Sequence, residues 1–452
     1  MTDKTQSIHG QWSSRFAFIL AATGSAVGLG NIWKFPYITG ENGGGAFVMV
    51  YLICVLALGI PIMIAEIMLG RRGRQSPINT MRSLATEAGS DPRWQYLGWA
   101  GMIAGFLILA YYSVIAGWAM AYIVKDFFGS FMNSDAMEIQ RLFDNLMTSP
   151  FQQIFWHTVF MIITMLCVMR GVQNGLEKAV RFLMPALFVI LMLLVAYAMA
   201  SGAYEEGMAF LFHADFSKLT ADSVLTAMGH AFFTLSLGMG AIMVYGSYLP
   251  NNVSIAKTTF FIAGADTVVA LLAGIAIFPL VFANNLEVAS GPGLIFQTLP
   301  LAFGHMTGGW LFGLLFFILL FFAALSSSIS LIEPAVAWLV ENNDMDRPTA
   351  SLWSGAACWV LGIGVVFSFN IWSDLKLFDK NLFELLDYLT ANLMLPLGGM
   401  AIAIFAGWFM QQNNAEQELE MPAAGFQAWQ FLIKYVSPAA VFLVFLHVLG
   451  VL

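Results

Sequence analysis

Charge is what this 452-residue chain has least of. Asp, Glu, Lys and Arg make up 10% of it, against 59% hydrophobic residues and a mean hydropathy of +0.77. Soluble domains carry about 25% charged residues, so that class is excluded and a polytopic membrane protein in a lipid bilayer is implied. Cysteine is equally scarce. Cys54, Cys167 and Cys358 all lie within apolar runs, so neither a disulfide framework nor a metal-ligand spacing follows. No nucleophile–base pair or metal cluster falls in the apolar segments, and no enzyme is expected. The net charge of −8 lies mostly in loops, and no nucleic-acid partner is expected. A cleavable signal peptide is not expected either, because the first apolar run lacks a small-residue cleavage pattern and leads straight into more.

What the chain does have is long apolar runs. Eleven transmembrane helices are predicted, at about 14–36, 43–70, 94–125, 152–170, 176–200, 224–248, 256–285, 306–341, 349–370, 383–411 and 427–450. The runs at 43–70, 94–125 and 306–341 exceed the bilayer thickness and predict tilt or extension into solvent. The stretches at about 126–151, 201–223 and 286–305 are expected to cap the outer face. With the N-terminus inside, thirteen Lys and Arg fall on the inner side and six on the outer. That bias predicts a cytoplasmic N-terminus, and an odd number of spans then puts the C-terminus outside.

The stretch Thr23-Gly24-Ser25-Ala26-Val27-Gly28-Leu29-Gly30-Asn31 interrupts the first span with three glycines in seven residues. Each Gly costs about 1 kcal/mol in a helix relative to Ala. A broken backbone in lipid leaves unpaired groups, tolerated only where they are buried in protein or line a cavity. There, freed carbonyls can hold a cation, and freed N–H groups an anion. A glycine-lined helix contact is the other reading of this stretch. The sixth span has a similar interruption, Phe232-Phe233-Thr234-Leu235-Ser236-Leu237-Gly238-Met239-Gly240. Breaks five spans apart point to two inverted halves around a midplane site, with repeat one at about 12–200, repeat two at about 224–411 and an added helix at about 427–450. The whole of 1–452 is then one transmembrane transporter domain.

The run from Gly24 to Pro36, the run Glu41-Asn42-Gly43-Gly44-Gly45-Ala46-Phe47, Gly59-Ile60-Pro61 with Glu66 and Gly70-Arg71, the Phe233–Gly240 run and Ser326-Ser327-Ser328 closely resemble the neurotransmitter:sodium symporter family. The resemblance runs from Trp12 to about Pro396, and an eleven-span chain is similar to many bacterial members. It implies an all-α 5+5 inverted-repeat fold of the leucine-transporter type, with broken helices one and six, in the cell inner membrane.

The same resemblance implies two sodium sites. The first would use the Ala26 carbonyl, Asn31, Thr234, Asp266 and the carboxylate of a bound substrate. The second would use the Gly24, Val27 and Ala323 carbonyls with the Ser326 and Ser327 hydroxyls. Such oxygen-rich sets suit a hard cation. For the serines, back-bonding to the preceding helical turn is the plainer reading. Asp266 stands out without any resemblance, because an acid in the apolar stretch 260–279 costs about 2.5–3.5 kcal/mol at mid-membrane. Chloride-dependent relatives have Asn at that position. A fixed carboxylate here, with Ala270 one turn on, predicts chloride-independent transport. His230, where relatives carry Gln, reads either as a proton partner or as a hydrogen-bonded structural histidine.

A substrate carboxylate would meet the Leu29 and Gly30 amides and the Tyr112 hydroxyl. Its ammonium group would meet carbonyls near Ala26, Phe233 and Thr234 and the Ser236 hydroxyl. Amine-carrying relatives place Asp where this chain has Ser25, which favours an amino acid. Ile108, Phe233, Met239 and Leu331, with Ser327 and Ser330 nearby, would line a pocket suited to hydrophobic or aromatic L-amino acids. The resemblance implies an outer gate of Lys34 and Asp387 under a Phe233 lid. Since Lys lacks the planar fork of Arg, a looser gate is expected. An inner gate of Trp12, Ser247, Tyr248 and Glu341 is implied, with His9 in place of the usual Arg. Gly175 and Pro185, ten apart, predict a turn able to unwind at the start of span five. Glu66 reads as a helix-end partner for Arg or backbone, and Glu333 as structural or cavity-facing.

A sodium-coupled amino acid symporter with two ions and no organic cofactor follows. A carrier of a betaine or γ-amino acid, a proton-driven carrier and a non-transporting sensor are the alternatives. The oligomeric state is unknown from sequence.

Overall fold

Apolar runs of this length meet their own backbone hydrogen-bonding needs only as helices. The computed structural model describes residues 9–286 and 291–448. Among these residues no strand forms beyond two isolated bridging pairs, Gly44 with Ala214 and Leu377 with Lys380. Lys4, part of the predicted 286–305 cap and the last residues of the final span lie outside the described residues.

Among the described residues, nine helices are long and apolar enough to cross a bilayer: Gly45–Gly73, Pro92–Phe127, Pro150–Met169, Val172–Met199, Ile255–Ala283, Gly309–Asn342, Arg347–Phe367, Leu382–Phe409 and Ala423–Leu446. They are spans two to five and seven to eleven. Span one is a tenth, bent by 46° between Arg15–Ala26 and Gly30–Glu41. Span six is divided further, into Ala221–Thr234 and Ala241–Ser247, with six residues between. The eleven predicted spans thus correspond to nine unbroken helices and two broken ones. Span one runs on to Glu41, past its predicted end near 36, because a π-helical turn at Gly30–Lys34 restarts the helix beyond the break.

The breaks differ in chemistry. The first half of span one ends on Val27, whose extended backbone still donates its N–H to the Thr23 carbonyl at 2.7 Å. Span six unwinds through left-handed residues: Ser236 at φ 56°, Gly238 at 75° and Gly240 at 76°. For serine this conformation is uncommon. It is held there by its own hydroxyl, which donates to the Ser25 carbonyl across the break at 2.8 Å. Glu66 of span two accepts the freed Gly238 N–H at 2.6 Å, so its predicted helix-end partner is backbone rather than Arg.

Span eight packs against spans one, three, five and nine, and 78% of its most apolar window is buried, against 22% for span eleven. The broken helices therefore lie in a protein interior, and the last span is peripheral. Shorter helices cover the ends: Ala136–Thr148, Tyr204–Phe212 and Leu299–His305 on the face opposite the N-terminus, Pro77–Glu87 and Gln412–Leu419 on the face that carries it. Arg71 reaches Glu418 at 2.5 Å and the Val253 carbonyl at 2.6 Å. That contact fastens the polar helix 412–419 to the end of span two.

Candidate functional site

The two breaks meet span three, span seven and span eight at one place. Asp266 of span seven is fully buried. It accepts from the Asn31 side-chain amide at 2.8 Å and from the Thr234 hydroxyl at 3.0 and 3.1 Å on its two oxygens. Asn31 also donates to the Asp266 carbonyl at 3.0 Å, and its own oxygen accepts the Gly28 N–H at 3.0 Å. Span one, span six and span seven are thereby joined through one carboxylate. Such a group, desolvated and surrounded by short-reach oxygens, is chemically suited to a hard monovalent cation.

A second group of oxygens lies on the other side of the same break. The Ser327 hydroxyl is 3.4 Å from the Gly24 carbonyl, 3.2 Å from that of Ser25 and 3.5 Å from that of Val27. Ser326 lies beside it and back-bonds to the Phe322 and Ala323 carbonyls, both at 3.1 Å. Back-bonding therefore holds for Ser326 and for Ser328, which donates to Ala324 at 2.8 Å, whereas Ser327 crosses to span one. Gly28 explains how close the helices come. A Cβ there would sit 2.4 Å from the Ser327 hydroxyl and 2.6 Å from that of Tyr112, inside van der Waals contact.

Between the two groups lies a cavity of about 20 Å³, lined by Ser25, Ala26, Gly28, Gly30, Ile108, Tyr112, Phe233, Thr234, Ser236, Met239, Ser327 and Leu331. The Leu29 N–H donates to the Tyr112 hydroxyl at 2.8 Å, so this amide is engaged by protein, with Gly30 and the Tyr112 O–H beside it. Ser25 donates to Ser330 at 2.8 Å, and Ser236 lies 3.2 Å away. One end of the cavity is polar, and Ile108, Met239 and Leu331 make the other apolar. A larger cavity of about 370 Å³ between spans four and nine is lined by Met161, Met165 and Trp359 with Thr158 its one hydroxyl. It lacks the convergent polar groups of a ligand site.

Closures flank the site on both faces. Lys34 reaches both Asp387 oxygens, at 2.6 and 2.7 Å, and lies 5.0 Å from the Phe233 ring centre. Tyr111 adds a hydrogen bond to Asp387 at 3.2 Å. The compact ammonium straddles both oxygens without needing a fork. On the N-terminal face, His9 Nε2 lies 3.0 Å from Glu341. Trp12 donates its backbone N–H to Tyr248 and its indole N–H to Tyr245, both at 3.1 Å. Tyr248 donates to Glu333 at 2.7 Å, and Arg347 holds the other Glu333 oxygen at 2.5 Å. Ser247 turns its hydroxyl back to the Val244 carbonyl at 2.7 Å, so its side chain takes no part across the closure. His230 also departs from expectation. It is 2% exposed, packs on Phe35 and Tyr51 with ring centres at 5.9 and 5.4 Å, and has no hydrogen-bond partner at either ring nitrogen among the described residues.

Glu177 with Ser13 and Arg71 with Glu418 are contacts with no counterpart in the sequence, and for Glu66 the sequence offers a backbone partner without naming the Gly238 amide. The signal for each is a charge at or near the end of an apolar run, but nothing in the spacing tells which distant group it meets.

The model of the sodium:neurotransmitter symporter family matches residues 9–133 and 125–451. The chain belongs to that family. It is 37% identical over 446 residues to the uncharacterized sodium-dependent transporter YhdH of Bacillus subtilis, covering 98% of both chains. To an uncharacterized sodium-dependent transporter of Haemophilus influenzae it is 34% identical over 444 residues, covering 96% of this chain and 97% of the relative. Its structure superposes on the crystal structure of MhsT in complex with L-phenylalanine with a TM-score of 0.91 and 41% identity, over 97% of this chain and 99% of that one. As a family member it is a multi-pass, sodium-dependent membrane transporter and not an enzyme.

Proposed function

We propose that the protein is a sodium-coupled symporter that imports hydrophobic or aromatic L-amino acids by alternating access, with two sodium ions and without chloride. The observation that carries this reading is Asp266: a fully buried carboxylate bonded to Asn31 of span one and Thr234 of span six. Sodium at the first site would take the Ala26 carbonyl, Asn31, Thr234 and Asp266, and a substrate carboxylate would complete its shell. That shared oxygen makes ion and substrate binding mutually dependent, and the dependence is reciprocal. A second sodium would sit among the Gly24, Val27 and Ala323 carbonyls and the Ser326 and Ser327 hydroxyls. The fixed charge of Asp266 would replace a chloride ion.

The substrate carboxylate would meet Gly30 and Tyr112, and its ammonium the oxygens of Ala26, Phe233, Thr234 and Ser236. The relative solved with L-phenylalanine supports a bulky apolar side chain against Ile108, Met239 and Leu331. A cavity of about 20 Å³ holds about one water, so such a side chain enters only as Phe233 and the adaptable Met239 move aside. The Lys and Arg bias supports a cytoplasmic N-terminus in the cell inner membrane and an outward C-terminus. The two breaks support repeats at about 12–200 and 224–411, with 427–450 added. Each sodium charge moved through 100 mV supplies about 2.3 kcal/mol, so two support steep accumulation.

Uptake of labelled amino acids into liposomes tests this, with sodium or potassium outside and chloride or gluconate as anion. Sodium-driven uptake indifferent to chloride, competed by Leu, Tyr or Trp and lost in Asp266→Ala, is expected. A chloride requirement overturns the role of Asp266, and absence of sodium-driven amino acid uptake overturns the substrate class.

A further inference from the structure

Span four meets span nine along a groove that opens toward the lipid. Its span-four wall repeats at helical spacing: Thr158, Met161, Ile162, Met165, Leu166 and Met169. From Thr158 to Met169 it runs about 17 Å at the helical rise, close to the depth of one leaflet's hydrocarbon, about 15 Å. Gly355 of span nine makes the floor. A Cβ there would lie 2.5 Å from the Met165 sulfur, so glycine lets Met165 settle against the span-nine backbone. Ala356 beside it ends at a methyl, and the exposed Ile162, Leu166 and Leu352 form the rim. At the deep end the Thr158 hydroxyl donates to the Ile154 carbonyl at 2.7 Å and accepts the Trp359 indole N–H at 2.8 Å. The groove of about 370 Å³ therefore offers water no open polar partner. At membrane depth hydrocarbon fills such a space, and the three methionines adapt to its shape.

The groove ends, on the face that carries the N-terminus, in uncompensated positive charge. Met169 is the last helical residue of span four, and Arg170 follows it one turn beyond Leu166. Arg170 shares a second cleft, of about 320 Å³, with Asn174 and Lys178 from the start of span five. All three side chains are exposed, and among the described residues none of them makes a hydrogen bond or ion pair. The acids nearby are engaged by other cations: Glu177 by Arg181 at 2.6 Å, and Glu333 by Arg347 at 2.5 Å. A surplus of Lys and Arg on one face is general in membrane proteins. Here two unpaired cations stand at the mouth of a groove one leaflet deep. We propose that spans four, five and nine hold one anionic phospholipid, its phosphate between Arg170 and Lys178 with the Asn174 amide beside it, and one acyl chain in the groove down to Trp359. Arginine forks onto phosphate oxygens and lysine adds a point charge. The groove alone would take any chain, and the cations alone would attract any anionic surface. Side by side they select a ligand that has both parts. This site is separate from the proposed ion and substrate sites and does not rest on them.

The test is native mass spectrometry of the full chain in detergent, titrated with phosphatidylglycerol or with phosphatidylcholine of the same acyl chains. The first phosphatidylglycerol is expected to bind about tenfold more tightly than the first phosphatidylcholine, the scale of one to two cation contacts with a net negative headgroup. In Arg170→Ala with Lys178→Ala this preference disappears. Arg82→Ala with Lys257→Ala removes equal charge from exposed, unpaired positions on the same face and keeps the preference. Ala356→Phe fills the groove from its open side and weakens both lipids about fivefold, the scale of roughly ten lost packing contacts. Melting without lipid checks that each variant folds, and phosphatidylglycerol raises the melting temperature of the wild-type protein more than that of the Arg170 and Lys178 variant. Should that variant not fold, Arg170→Gln with Lys178→Gln takes its place. The site is overturned if the two lipids bind alike, or if the Arg82 and Lys257 changes erase the preference as fully. It is also overturned if Ala356→Phe leaves phosphatidylglycerol binding within about twofold of wild type, or if millimolar inorganic phosphate displaces the lipid.

Discussion

The two closures of the proposed transport site are built differently. On the face opposite the N-terminus, the outer one in the proposed orientation, span one is held to span ten by a single charged contact, Lys34 on both oxygens of Asp387, with Tyr111 and Phe233 in support. The Asp387 side chain is 26% exposed, so water and salt reach this contact. On the face that carries the N-terminus, span one is held by buried backbone and indole bonds from Trp12, by His9 on Glu341, and by the exposed Ser13 on the buried Glu177. Exposed ion pairs contribute about 0–1 kcal/mol. Buried hydrogen bonds contribute about 1 kcal/mol each, more when charged. The inner closure is the more costly to open by several such contacts. A carrier biased in this way waits with its outer gate the easier to open.

That asymmetry is broken most directly at Trp12. Its ring packs against Phe18, Tyr245 and Tyr248 with centres at 6.5, 5.2 and 6.0 Å, and truncating a buried Trp costs about 3–5 kcal/mol. Trp12→Ala is expected to lower sodium-driven accumulation about a hundredfold or more, while counterflow exchange, which needs no net bias, is retained. Comparison of the two assays on one preparation is the check. Loss of both together would mean a misfolded protein rather than an open gate.

The outer gate gives a smaller effect. Asp387→Asn keeps the shape and removes the charge opposite Lys34. Uptake is expected to fall about tenfold, in keeping with one charged hydrogen-bond pair, with raised ionic strength hurting the wild-type protein more than the variant. Kinetics at low and high salt measure this. If Asp387→Asn abolishes accumulation as fully as Trp12→Ala, the contrast between thin and thick closures is wrong.

The parts of the site that were legible in the sequence share one property: they are costly where they stand. Glycines that interrupt a lipid-spanning run, and Asp266 inside an apolar stretch, both violate the needs of a bilayer and stand out for that reason. The proximity of Asn31, Thr234 and Asp266 could be expected through the resemblance those breaks carry. Illegible were contacts whose partners lie far apart in the chain. Glu177 meets Ser13 164 residues away, Glu66 meets the Gly238 amide 172 away, and Arg71 meets Glu418 347 away. Each residue reads as an ordinary charge near a helix end, and only the packing of the helices selects its partner. His230 shows the reverse failure. A buried histidine normally bonds to something, and the expectation of a bonded one was wrong because Phe35 and Tyr51 offer it rings rather than acceptors.

The smallest effect concerns His9, and it sharpens the comparison from within the inner gate. An arginine there would bring a planar fork opposite Glu341, which an imidazole lacks. Glu341 also accepts the Ser76 N–H at 2.7 Å and the Asn79 amide at 2.8 Å, so losing His9 removes only part of its support, and the change stays within about threefold, the scale of one hydrogen bond. Sodium-free leak of preloaded substrate is expected to rise by that factor in His9→Ala and to fall back to the wild-type level or below in His9→Arg. A His9→Ala leak equal to that of the wild type would show that Glu341 is held well enough by Ser76 and Asn79, and that the inner gate closes without His9 or its ring contact on Tyr248, with centres at 5.8 Å.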